Sequence, residues 1–192
     1  NSKYYKVSIG GCFGHHYGSI NRATNLGSID IAAYIGTESN FCAGIVCWAS
    51  SATAEITNCV NGSATDTTGK SGSITIHGIS GQTLGTTTAI GIVCNIANKV
   101  ENCTNYGNLT LKDISNTGSG SYLGGIAMRV HTNAATTFTN CYNYGKISAT
   151  DTTIGSTVQC AGIYVESWNN NATFTDCHNY GDIELSNLKC TS

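Results

Sequence analysis

The phrases "ENCTNYGNL" (101–109), "TNCYNYGKI" (139–147) and "TDCHNYGDI" (175–183) place a thiol, an amide, a phenol and a glycine at the same offsets. Ten cysteines in 192 residues admit disulfide bridging, metal ligation or nucleophilic chemistry. Metal ligation lacks its spacing. There is no Cys-x-x-Cys pair and no His-x-x-x-His, and the neighbours His15 and His16 project to opposite faces of an extended chain. No metal site and no cofactor is therefore expected.

The cysteines themselves fall into columns. Cys59, Cys103, Cys141 and Cys177 share one repeat position. Cys47 and Cys94 share another with Met128 and Val165, and Cys42 and Cys160 a third with Ala89 and Leu123. A position that accepts Ala, Leu, Met or Val is a small or medium apolar site, which a buried free thiol fills well. Stacked cysteines would lie within disulfide range, but in-register side chains point the same way rather than at each other. Free, buried thiols are expected.

Acid chemistry has few candidates. Asp182 and Glu184 share an outward strand face about 7 Å apart, and Glu166 and Asp176 are the other acids of interest. No neighbouring repeat supplies a complementary carboxylate, so no catalytic residue is assigned. Ligand binding has better candidates. Tyr106, Tyr144 and Tyr180 occupy one position, next to Tyr142 and His178. Exposed, such a column would offer sugar rings an aromatic surface; packed over a corner, it would be structural. Trp48, Tyr164 and Trp168 are candidates for a different face.

These residues need a scaffold that returns the chain to the same place at each repeat. The phrase glycines Gly27, Gly72, Gly107, Gly145 and Gly181 are spaced by 45, 35, 38 and 36 residues. A second phrase precedes the last four: "CAGIVC" at Cys42, "AIGIVC" at Ala89, "LGGIAM" at Leu123 and "CAGIYV" at Cys160, with "SIGGCF" at Ser8 as a degenerate first copy. Alternating segments such as "SITI", "NLTL" and "DIEL" read as short strands, and 23 glycines without a proline leave no sustained helical period. The fold class follows: all-β, a right-handed parallel β-helix (solenoid) of about five coils, three short strands per coil, spanning 1–192 as one domain.

Each strand assigns an inward set. The first buries Ile45 and Cys47, Ile92 and Cys94, Ile126 and Met128, Ile163 and Val165. The second buries Ile56, Val100, Phe138 and Phe174. The third buries Ile29 and Ile31, Ile74 and Ile76, Leu109 and Leu111, Ile147 and Ala149, Ile183 and Leu185. Asn58, Asn102, Asn140 and Asp176 stack at one corner, and Asn25, Asn61, Asn105, Asn143 and Asn179 nearby, satisfying backbone groups left by the bend. The phrase glycine is expected to supply a left-handed conformation there. "VNGSATDTTGKSG" is an insertion in the second unit, and the aromatic stretch "KYYKVSIGGCFGHHYG" is expected to fold over the first coil as a cap.

Charged residues are 10% of the chain with a net charge of −2, against a usual share of about 25%. No basic face for nucleic acid and no apolar run for membrane insertion is present. The outward threonines Thr75 and Thr110 give way to Ser148 and Glu184, which breaks any regular hydroxyl array.

At Gly124-Gly125-Ile126-Ala127, with Asn140-Cys141-Tyr142 and Gly145-Lys146-Ile147, the chain resembles the GLUG-motif repeat family of bacterial secreted and surface proteins. The last glycine of that family's opening phrase is here Cys47, Cys94, Met128 or Val165. The resemblance implies a secreted or cell-surface bacterial location, an adhesin-like parent of which this chain is a fragment, and no catalytic residues. The function expected is a non-catalytic module binding glycan or a host surface protein, with a neighbouring domain or further repeats at its C-terminal end. The alternative is a glycan-degrading β-helix lyase or hydrolase, or its accessory domain.

Overall fold

The structure is a computed structural model that describes residues 7–32, 39–49, 51–80, 83–96, 98–116, 120–130, 135–166 and 171–190. Every strand pairing among them is parallel and joins one coil to the next, so the chain is a parallel β-helix. Five sheets of five strands run along it, each coil adding one strand to each sheet. In the third coil the strands are Thr87–Ile90, Val93–Ile96, Lys99–Glu101, Thr104–Asn105 and Leu109–Lys112, here called sheets 1 to 5. A three-stranded sixth sheet, beginning at Ser115–Asn116, joins the last three coils.

Each coil is thus cut more finely than three strands. The opening phrase makes two strands, Asn40–Ala43 and Val46–Ala49 in the second coil, because Gly44 and Ile45 turn between them. The next phrase also makes two, Glu55–Thr57 and Val60–Asn61, because Asn58 bends the backbone into the left-handed region with φ 55°. The first two strands of the solenoid are Val7–Gly10 and Phe13–His16, paired with Asn40–Ala43 and with the following strand. Residues 7–16 are therefore part of the first coil and not a cap over it, and residues 3–6 of the predicted cap lie outside the described residues.

Packing follows the columns read from the sequence, with one reassignment. Ile56, Val100, Phe138, Cys59, Cys103 and Cys141 form one core cluster with Ile45, Ile92 and Ile126. The sheet 5 residues Ile74, Ile76, Leu109, Leu111, Ile147 and Ala149 form a second with Cys42, Ala89 and Leu123. Cys47, Cys94 and Met128 do not join either. They pack with Phe41, Ala43 and Ile90 in a third cluster, in the angle between sheets 1 and 2. The cause is local. Val46 and Ala49 face the first cluster while the consecutive residues Cys47 and Trp48 both face the third, a break in strict alternation of the kind a bulge makes.

Sheets 1 and 2 meet at a glycine for a steric reason. A Cβ on Gly44 would lie 2.3 Å from the Asn61 side chain and 2.2 Å from the Gly91 carbonyl oxygen. The bend therefore presses on the asparagine column across the coil and separates the first two clusters. Phe174, Ile183 and Leu185, in the last coil, are 47%, 43% and 48% exposed, whereas their counterparts one coil inward, Phe138, Ile147 and Ala149, are fully buried. On this side an inward position is buried when a further coil covers it.

Candidate functional site

Two amide columns hold the corner that carries the aromatic residues. In the inner one each Nδ2 donates to the Oδ1 of the next coil: Asn25 to Asn61 at 2.8 Å, Asn61 to Asn105, Asn105 to Asn143 and Asn143 to Asn179 at 2.7 Å. Nδ2 also donates to a glycine carbonyl in the same turn, as from Asn105 to Gly107 at 3.0 Å. The buried amides of Asn61, Asn105 and Asn143 are thus fully engaged, which makes the corner rigid. In the outer column the amides of Asn58, Asn102 and Asn140 donate toward the first coil, ending on Asn21 Oδ1. Asn58, Asn102, Asn140 and Asp176 all have φ between 51° and 55°. Of the phrase glycines only Gly72, with φ 68°, adopts the expected left-handed conformation; in each of the last four units that conformation falls to Asn58, Asn102, Asn140 or Asp176. Gly107, Gly145 and Gly181 are needed for space: a Cβ on any of them would lie 2.0 Å from the carbonyl oxygen of the glycine one coil back.

The nine cysteines Cys12, Cys42, Cys47, Cys59, Cys94, Cys103, Cys141, Cys160 and Cys177 are all free thiols. In the corner column each S–H points to backbone carbonyls, as from Cys141 to Thr139 at 3.4 Å and to Val100 at 3.6 Å. Desolvation by burial drives the Cys42 and Cys94 thiols far up and Cys160 up to about 11. Cys177 differs. It is half-buried at the last coil, and its interaction with the neighbouring Cys141 thiol brings it down to about 7, while Cys141 is held protonated.

The acids are dispersed. Glu184 is tied to Lys146 at 2.6 Å, and Glu55 and Glu101 share Lys99 at 3.0 and 3.2 Å. Asp176 ends the outer amide column, and Glu166 lies in register with Arg129. Among the described residues no three His, Cys, Asp or Glu side chains are grouped to hold a metal ion. None of the described segments is a helix, so none is a helix long and apolar enough to cross a membrane.

The five aromatic candidates come together on the outside of this corner. Tyr106 and Tyr144 stack with centroids 5.1 Å apart and planes 12° off parallel; Tyr144 and Tyr180 stack at 4.9 Å and 14°. Tyr142 and His178 form a parallel second column at 5.8 Å, and His178 also stacks on Tyr180 at 5.9 Å. Tyr144 and Tyr180 are 46% and 60% exposed. Each ring covers its neighbour's face, so the column presents edges and hydroxyls to solvent and not a flat platform. Tyr164 belongs elsewhere. It packs on the first core cluster, 5.3 Å from Phe138, and its hydroxyl accepts from the Val130 N–H at 3.2 Å. Trp48 stands edge-on to Phe41 at 5.5 Å, and Trp168 lies outside the described residues.

Beside the column lies a cleft that sequence reasoning missed, with a volume of about 520 Å³, lined by Ser63, Ala64, Asp66, Gly69, Tyr106, Asn108 and Tyr144. Its far wall is the insertion of the second coil. That loop is pinned: Asp66 accepts from the Thr68 N–H and hydroxyl at 2.8 and 2.6 Å and from the Ser71 N–H, and Asn108 Nδ2 donates to the Gly69 carbonyl at 3.3 Å. Hydrogen bonds from Thr68 and Ser71 hold the Asp66 carboxyl down at about 2. The available signal was the insertion's position, immediately after Gly62, where the last three phrases carry tyrosine.

No family model, no curated protein and no solved structure matches this chain.

Proposed function

We propose that the chain is a non-catalytic repeat module of a secreted or cell-surface bacterial protein of adhesin type, and that it binds glycan along the tyrosine column. The observation that carries this reading is the stack Tyr106–Tyr144–Tyr180, exposed on a corner that two amide columns hold rigid. An extended sugar chain lying parallel to the solenoid axis meets one phenol hydroxyl and ring edge per coil, with Tyr142 and His178 alongside. Tyrosine suits this use because it offers a large contact area, a polar tip and little conformational entropy to lose. The low charge and the resemblance to GLUG-motif repeats support the extracellular setting. The half-exposed Phe174, Ile183 and Leu185 of the last coil support contact with a neighbouring domain or further repeats on that side. The glycan-degrading alternative draws no support from the acids, which are dispersed and partly neutralised.

A glycan array probed with the wild type and with Tyr144→Ala decides the matter. Tyr144 lies between two stacked rings, so its removal breaks the column with little effect on the core. Glycan hits lost by about tenfold or more in the variant are the expected result. A blank array, or hits indifferent to Tyr144, would defeat the reading.

A further inference from the structure

The tyrosine column has a missing rung. The backbone N–H groups of Tyr106, Tyr144 and Tyr180 donate to Asn61, Asn105 and Asn143 respectively, one coil back. The Gly62 N–H donates to Asn25 in the same way, so Gly62 occupies the tyrosine position of the second coil, and Leu26 that of the first. No side chain can be added at Gly62. Its φ is +86°, and a Cβ would meet the Ser71 carbonyl oxygen at 2.7 Å and the Gly107 nitrogen at 2.8 Å. One face of the Tyr106 ring is covered by Tyr144, the other is turned toward the second coil, where Gly62 has no side chain, and both rings line the cleft.

The Gly62 level lies one coil from Tyr106. Coils repeat at about 4.8 Å, so a ring level with Gly62 would sit about 4.8 Å from Tyr106. That matches the 4.9 and 5.1 Å separations within the column. Its surroundings are built for hydroxyls. Ser63, Asp66 and Asn108 face the cleft, and the loop that carries the first two is fixed by its own hydrogen bonds. Asp66 is the charged side chain on the wall; ionised, it is acceptor-only and attracts donors while repelling anions.

We infer that this cleft is a slot for a single neutral pyranose ring, which stacks on the free face of Tyr106 and completes the column, its hydroxyls donating to Asp66 and exchanging hydrogen bonds with Ser63 and Asn108. The inference rests on the glycan reading above and gives it an end point: the terminal sugar occupies the slot, and the rest of the chain runs along Tyr144 and Tyr180. The volume of about 520 Å³ falls in the range of small-ligand pockets and exceeds one sugar, which leaves room for the exit of the next residue.

The probes are methyl glycosides of neutral hexoses, titrated by NMR against the folded protein, with methyl glucuronide as the charged comparison. One or more neutral glycosides should bind, with intermolecular contacts to the Tyr106 ring, and the glucuronide should bind about tenfold more weakly. Ser63→Trp, which fills the slot, should weaken the bound glycoside by about tenfold or more. The Tyr106 contacts in the wild type serve as evidence even where that variant misfolds. If longer glycans bind on an array but no methyl glycoside reaches Tyr106, the slot is wrong and the column reading stands. If neither binds, both fall. Equal binding of the glucuronide would overturn the role given to Asp66.

Discussion

Cys177 and Cys94 have the same side chain and opposite chemistry, because burial dominates at Cys94 and a neighbouring thiol dominates at Cys177. Cys94 is fully buried and its thiol is driven far up by desolvation; Cys177 is half-buried and is brought down to about 7 by its interaction with the neighbouring Cys141 thiol. A thiol with a depressed value is a thiolate at lower pH, so its alkylation rate should rise through about pH 7, below the ordinary range near 8.5. Mass-mapped labelling with iodoacetamide should therefore modify Cys177 first and leave Cys42, Cys94 and Cys103 unmodified until the protein is denatured. Early labelling of Cys94 would mean that the third cluster opens readily. The inner asparagines are the residue-scale counterpart on the stability side. Asn105 makes hydrogen bonds to Asn61, Asn143 and both backbone groups of Gly107. Asn105→Ala strands several buried polar groups at once and should cost about 3 kcal/mol or more in denaturant unfolding. The half-buried Asn140→Ala, which removes an outer rung only, should cost about 1 kcal/mol, chiefly because alanine tolerates the left-handed backbone poorly.

At the scale of elements, the repeat made the columns legible and hid what departs from them. Cysteine, asparagine, tyrosine and the inward apolar residues could be aligned because a parallel solenoid stacks equal offsets. The third cluster could not be seen, since period-two reasoning places Cys47 with Ile45, and only the break at Cys47–Trp48 turns it to the other side of the bend. The glycines were legible as required but not for the right reason: Gly107 answers a close approach, while the left-handed turn falls to Asn102. The cleft escaped because it is made where the repeat is interrupted, by an insertion whose fold depends on Asp66 and not on any periodicity. That dependence gives a pH effect. The Asp66 carboxyl lies at about 2 in the folded loop against an ordinary 3.8, so its contribution is present above about pH 4 and is lost as pH falls toward 2. The Thr68 and Ser71 amides, which donate to it, should lose hydrogen-exchange protection over that window while the coil amides keep theirs. Asp66→Asn should show the loosened loop already at neutral pH.

The whole molecule behaves as a stack in which each coil is stabilised by its neighbours, so its stability is graded along its length. Amides of Leu109–Lys112, in the third coil, lie between two paired strands on each side, and those of Ile183–Ser186 border a single one. Hydrogen exchange should accordingly be slowest in the third coil and fastest in the last, with Cys177 exposed by the same opening. The last coil also carries an association hazard. Phe174, Ile183 and Leu185 are each more than two-fifths exposed beside an unpaired strand edge, the combination that promotes edge-to-edge contact. Asp176, Asp182 and Glu184 on the same coil oppose it, although Glu184 is paired with Lys146. Association through this end should therefore be weak, concentration-dependent and strengthened by salt, because screening removes the repulsion while apolar contact remains. Sedimentation velocity at low and high ionic strength would reveal it, and the double variant Ile183→Lys, Leu185→Lys should keep the protein monomeric under both conditions. Its effect on unfolding should stay within about 1 kcal/mol, since both side chains are already half in water. Association that persists in the double variant would place the contact on another surface.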